Sequence, residues 1–125
     1  MRAVWLREFG GPEVLVAGDA PEPEAGPGQV VVDVAYANIT FVETQMRTGG
    51  GPFPIRPPIV MGNGVGGVVS AVGEGVSPDL AGRRVLGSLG GSGGYAERAV
   101  VRADALVEVP SGLALDSAVA LLADM

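Results

Sequence analysis

Gly62-Asn63-Gly64-Val65-Gly66-Gly67-Val68-Val69-Ser70-Ala71-Val72 decides how this chain is read. Its first six residues satisfy G-x-G-x-x-G, the glycine spacing of a dinucleotide-binding turn. That spacing works only between a strand and a helix, with an acidic residue about 20 positions further on. Here the residues that follow are short-chained and β-branched, and they predict a strand over Val65 to Val72. A strand has no helix N-terminus to receive a diphosphate. The glycines then read as structural, letting backbone turn tightly and pack closely in a barrel. A further reading keeps them structural but sets them beside a ligand pocket.

Working toward the N-terminus, Gln29 to Ala37 predicts a second strand. Val30, Val32, Val34 and Tyr36 share one face, and Val31, Asp33, Ala35 and Ala37 the other. Between the two strands, Phe41 to Arg47 predicts a short helix, with Thr40 as N-cap and Glu43 completing a T-x-x-E capping box. Gly49-Gly50-Gly51-Pro52 ends it. Ala3 to Leu6 and Val14 to Val16, separated by Gly10-Gly11-Pro12, predict a β-hairpin with Trp5 in the core. The Pro-rich Pro21 to Gly28 reads as a surface connector, because proline has no N–H for a sheet ladder.

Toward the C-terminus, Arg83 to Leu86, Tyr95 to Val101 and Ala105 to Val109 predict strands. The stretch Gly87 to Gly94 reads as a flexible hairpin loop. After Pro110-Ser111-Gly112 the period changes, and Leu115, Val119 and Leu122 fall at helical spacing over 114–124. The architecture is therefore mainly β: a small, partly open barrel with one short mid-chain helix and a C-terminal helix.

Composition limits the chemistry. The 125 residues suit one domain. With 47% apolar and 18% charged residues, the chain is too apolar for a disordered tail. Its 21 glycines and 10 prolines favour a turn-rich β fold over a helical one. There is no Cys and no His, which removes disulfides, thiolate nucleophiles and the commonest general base and metal ligand. The net charge is −6 and the eight cations form no basic stripe, which argues against nucleic acid as a partner. No apolar run is long enough for a membrane span, and no signal peptide opens the chain, so a cytoplasmic protein is expected.

The order of segments resembles the N-terminal GroES-like domain of the zinc-independent quinone oxidoreductases, the zeta-crystallin type, of the medium-chain dehydrogenase/reductase superfamily. The matching stretches are Met1 to Val4 with Phe9 to Leu15, Gly26 to Val32, Val68 to Val76, Gly82-Arg83-Arg84-Val85, Gly93-Gly94-Tyr95-Ala96-Glu97 and Pro110 to Leu113. Each is weak alone; their shared order is specific. The resemblance implies a GroES-like substrate-side domain over 1–125, with the C-terminal helix leading into a nucleotide-binding Rossmann domain that these residues do not contain. It implies reduction of a quinone or enone by hydride from NADPH, with NADPH bound only where that further domain is supplied. The superfamily's alcohol dehydrogenases hold zinc with Cys and His; with neither residue present, no metal is expected.

The resemblance also nominates site residues. Thr40 stands in the family's N-F-x-D stretch, read here as Thr40-Phe41-Val42-Glu43, and its hydroxyl would meet cofactor or substrate. Arg47 would lie near cofactor phosphate or a quinone oxygen. Gln45 and Asn63 would line the substrate cleft, Asn63 as a turn or pocket-wall residue. No catalytic residue is assigned. Glu43 reads as a cap and Tyr95 as a core or edge aromatic whose hydroxyl seeks a partner. Two rival functions remain: a binding or assembly module without redox activity, in which Leu115, Val119 and Leu122 meet a second protomer or another chain, and a cofactor-free small-molecule pocket.

Overall fold

A computed structural model describes residues 1–38, 41–50, 55–89 and 92–121. The N-terminal hairpin forms as expected. Strand β1 (Arg2–Leu6) pairs antiparallel with β2 (Leu15–Asp19), from Leu6 opposite Leu15 to Arg2 opposite Asp19. The long strand β3 (Gln29–Ala37) leads to helix α1 (Phe41–Arg47). The two-residue strand β4 (Ile59–Val60) returns to the free edge of β1, giving a small sheet in the order β2-β1-β4. Then come β5 (Gly64–Val72), β6 (Arg84–Ser88), β7 (Arg98–Arg102) and β8 (Leu106–Glu108), followed by helix α2 (Leu115–Leu121). The larger sheet runs β7-β3-β5-β6-β8, antiparallel throughout.

Two irregularities in the β3–β5 register, between Val31 and Val32 and between Val34 and Tyr36, curl this sheet. Inside the curl lie Val30, Val32, Val65, Val69, Val85 and Val101, all buried. Stiff β-branched side chains suit this surface, because they lose little rotamer freedom on packing. The curl brings β7 toward β6: a Cβ at Gly87 would sit 2.8 Å from Val101 Cγ1.

The opposite face of the sheet is covered by α2. Ala118 and Val119 are buried against Leu86 and Val109, with Leu115 packed alongside. Gly66 makes this possible, because a Cβ there would lie 2.2 Å from Val119 Cγ2. Its neighbour Gly67 serves the other face, where a Cβ would come within 1.9 Å of the Asp33 carbonyl oxygen. The apolar face that the sequence left without a partner is therefore met, at Leu115 and Val119, by this chain's own sheet. Leu122 lies outside the described residues.

Three expectations change. Gly87 to Gly94 is not a hairpin loop. Strand β6 sits between β5 and β8, whereas β7 pairs with β3 at the far edge. Gly87 itself is in β6, and the Gly93 and Gly94 N–H groups donate to Val60 and Gly62 carbonyls at 2.7 and 2.9 Å. Strand β7 starts at Arg98 because Tyr95 is held instead to Met61 and Val4 by backbone bonds. Trp5 is half-buried, not core: its indole N–H reaches the Asp19 carbonyl at 3.0 Å and the Arg7 guanidinium lies 5.1 Å from its ring centroid. Tyr36, on the otherwise buried face of β3, is 48% exposed.

Candidate functional site

Helix α1 is locked at its C-terminal end. Gly49 takes φ +91°, its N–H donates to Met46 and the Gly50 N–H donates to Gln45, which is the glycine-terminated Schellman arrangement. Arg47 ties the same end to the first hairpin: its Nε donates to the Gly10 carbonyl at 3.2 Å, while the Gly10 N–H donates to the Arg47 carbonyl at 2.9 Å. With the helix rotation so fixed, positions 43, 46 and 47 share a face. Met46 fills the core beside Leu6, Val14 and Met61.

Glu43 is therefore carried inward, to 4% exposure. A carboxylate in such a place needs partners. One oxygen accepts the Asn63 backbone N–H at 2.9 Å, and the other accepts the Tyr95 hydroxyl at 2.6 Å. Tyr95 is itself pinned, its N–H donating to Met61 and its carbonyl accepting from Val4. The tyrosine can come this close only because residue 62 is glycine. At φ +105°, a Cβ on Gly62 would meet the Tyr95 ring at 2.6 Å and its backbone nitrogen at 2.7 Å. Burial pushes the Tyr95 phenol well above its ordinary value, and the hydrogen bond and charge of Glu43 push the same way.

Leu15, Glu43, Thr44, Arg47, Met61 and Tyr95 line a cavity of about 170 Å³. Two wider grooves flank β1, of about 390 and 400 Å³. In the first, Glu22 pairs with both Arg98 and the N-terminal ammonium of Met1, at 3.6 and 3.4 Å, and is itself 56% exposed. The smaller cavity is thus the place where apolar walls, a cation, a carboxylate and a phenol converge, which is the usual make-up of a small-molecule site.

Of the residues nominated from sequence, Arg47 lines this cavity. Asn63 contributes through its backbone: its N–H goes to Glu43 and its carbonyl accepts from Leu89 at 2.9 Å. Gln45 is half-buried and does not line the cavity. Thr40 lies outside the described residues, and with it the other half of the capping box. Sequence reading missed Glu43 and Tyr95 as a pair. The available signal was a glutamate three positions from Met46, on the helix face that had to be apolar. Among the described residues, Asn38 Oδ1, at the end of β3, is the one buried side-chain polar atom without a hydrogen-bond partner.

The model of the alcohol dehydrogenase GroES-like domain matches residues 26–111. The chain belongs to that family. The GroES-like domain's curated relatives include the quinone oxidoreductase of Homo sapiens, 39% identical over 116 residues, with 90% of this chain and 35% of that protein covered. A crystal structure of a probable oxidoreductase from Mycobacterium abscessus superposes with a TM-score of 0.89 at 38% identity, covering 98% of this chain and 39% of that one. The Escherichia coli quinone oxidoreductase complexed with NADPH superposes at 0.88 and 28% identity, covering 96% and 36%. The domain spans about a third of the length of the curated relatives it matches. The mainly β, partly open barrel expected from sequence is the family's fold, and the zeta-crystallin-type likeness holds across the order of segments.

The family's cofactor can be tested against these residues. The glycine-rich stretch does not fit a dinucleotide diphosphate. From Gly64 onward it is an interior strand whose amides face β3 on one side and β6 on the other. The hollows at Gly66 and Gly67 are filled by Val119 and by the Asp33 carbonyl. The stretch runs on as strand to Val72 and not into a helix. The reading of these glycines as packing devices is thus the one the structure bears out.

Proposed function

We propose that this domain is the substrate side of an NADPH-dependent quinone or enone reductase, with the cofactor held mainly by a further nucleotide-binding domain. NADPH would supply hydride to the conjugated carbonyl. The domain's own residues would bind and orient the ring and keep water from it. The observation that carries this is the cavity of about 170 Å³ lined by Glu43, Arg47 and Tyr95 in a chain whose glycine motif is spent on sheet packing. Membership of a family whose curated relatives include quinone oxidoreductases supports it. Arg47 offers a donor to a ring oxygen, and Tyr95 holds its proton firmly at the same wall. Thr40, Gln45 and Asn63 remain proposed for the wider cleft, and Thr40 and Arg47 for the cofactor's edge. A cytoplasmic location belongs to the same proposal.

The rival assembly module drew on Leu115, Val119 and Leu122 of α2; Leu115 and Val119 pack on this chain's own sheet. Calorimetric titration with a single-ring quinone and, separately, with NADPH tests the proposal. The quinone is expected to bind, and NADPH to show no tight saturable binding to these residues alone. Tight NADPH binding would overturn the division of labour; failure of every ring-sized quinone would overturn the substrate-side assignment.

A further inference from the structure

Among the described residues, Asn63 and Tyr95 each give the Glu43 carboxylate a hydrogen bond of fixed sense. The Asn63 backbone N–H can only donate, so the oxygen 2.9 Å from it must accept. The other oxygen accepts the Tyr95 O–H at 2.6 Å. A phenol has one hydrogen, and once that hydrogen is given to Glu43 the Tyr95 oxygen keeps only acceptor lone pairs. Glu43 and Tyr95 both line the cavity, whose volume of about 170 Å³ is close to that of a cavity known to take one benzene ring. Arg47, the one cation among the lining residues, donates to a ring oxygen whether that oxygen is a carbonyl or a hydroxyl, and so does not discriminate between them. Discrimination falls to the other polar groups of the lining, and of these Tyr95 is the one whose hydrogen Glu43 directs.

We propose that Glu43 is a positioning residue that sets, through Tyr95, the hydrogen-bond sense of the cavity. The cavity then takes a one-ring quinone through Arg47 and holds its reduced form more tightly, because only the reduced ring has a hydroxyl to donate to Tyr95. This rests on the reading of the cavity as the ring-holding site of a quinone-reducing domain. Glu43 touches no substrate in this scheme; it acts by deciding where the Tyr95 hydrogen points. The Glu43→Gln variant shows why the sense is reversible. The Asn63 N–H forces the new amide to present its oxygen to residue 63 and its NH2 to Tyr95. The phenol then accepts from that NH2 and has its own hydrogen free for the cavity.

The experiment uses phenol and anisole, two redox-inert rings of which only phenol can donate, titrated into the full chain near neutral pH. Phenol is expected to bind roughly fivefold more tightly, as one net hydrogen bond supplies. In E43Q the ratio should fall to unity or invert toward anisole. A merely structural role for Glu43 would weaken both probes alike and leave their ratio unchanged, and that result overturns the proposal. Equal binding of the two probes to the unsubstituted chain also overturns it, while leaving the ring site standing. Binding of neither probe removes the ring site itself, and the selectivity with it. If circular dichroism shows that E43Q does not fold, the ratio in the unsubstituted chain decides alone.

Discussion

Substituting Gly66 by alanine tests the packing on which the fold assignment rests. The new Cβ would lie 2.2 Å from Val119 Cγ2, 3.1 Å from Leu115 Cδ2 and 3.3 Å from Leu86 Cδ2. Carbon atoms settle at about 3.5–4.0 Å, so Val119 must retreat by more than about 1 Å. It cannot do so alone, because Ala118 and Leu115 pack on the same sheet face. Forcing an extra methyl into such a site costs about 1–3 kcal/mol. Alanine recovers about 0.4–1 kcal/mol by restricting the unfolded chain. The net expectation is a loss of about 1–2 kcal/mol, read as a lower urea midpoint at unchanged slope when unfolding is followed by circular dichroism. Val119→Ala alone should cost about 2 kcal/mol by removing two buried methyl groups. Combined with G66A it should cost less than the two losses added, because it empties the space the new methyl needs. Gly112→Ala, with nothing within 4 Å of its Cβ position, should change stability by no more than about 0.5 kcal/mol. An unchanged midpoint for G66A, or strict additivity in the double variant, would show that α2 does not seat on Gly66.

Three further outcomes follow from the same contacts. Tyr95 binds its proton more tightly folded than unfolded, so its contribution is fully present below about pH 10, the ordinary tyrosine range, and is lost as pH rises above it. The unfolding free energy from urea titration should fall on that alkaline side by at most about 1.4 kcal/mol per pH unit on this account, and Y95F should flatten the limb; a limb equally steep in Y95F would refute the assignment. Gly67→Ala should give no native circular dichroism, since its Cβ would sit 1.9 Å from backbone at Asp33, which cannot swing aside as a side chain can. A native melt for G67A would mean that β3 and β5 separate there at little cost. Arg47→Ala should lower stability by about 1 kcal/mol through loss of the bond to the Gly10 carbonyl, with faster amide exchange at Gly10 as the local readout.

Local signals carried most of the fold. The alternation of Gln29 to Ala37 and the β-branched run after Gly67 named β3 and β5, because a side-chain period of two needs no knowledge of the partner strand. The glycine end of α1 was equally readable. What failed was non-local. Gly87 to Gly94 has the composition of a hairpin loop, yet its flanking strands lie on opposite sides of β5, and composition does not encode pairing. The same limit hid the candidate site. Glu43 stands 20 positions from Asn63 and 52 from Tyr95, so a capping box within one helix was the only pattern in view. Tyr95 matched a strand pattern by residue type, but backbone bonds to Met61 and Val4 hold it before β7 starts.

The glycine stretch shows why the letters of a motif do not determine its use. A diphosphate cradle needs consecutive N–H groups turned to one side with nothing above them. In a strand, successive residues face opposite sides, so each glycine admits a different neighbour. Gly64 admits the Asn38 side chain, Gly66 admits Val119 and Gly67 admits the Asp33 carbonyl. Three close approaches within four residues use all the room that the missing side chains create, and the sheet uses the amides. Polar chemistry at this end of the barrel then comes from side chains, that of Asn63 within the stretch and those on neighbouring elements. Helix α1 supplies Glu43 and Arg47, and the segment tied to Gly62 supplies Tyr95, so the glycines act on the candidate site only by letting those groups come together.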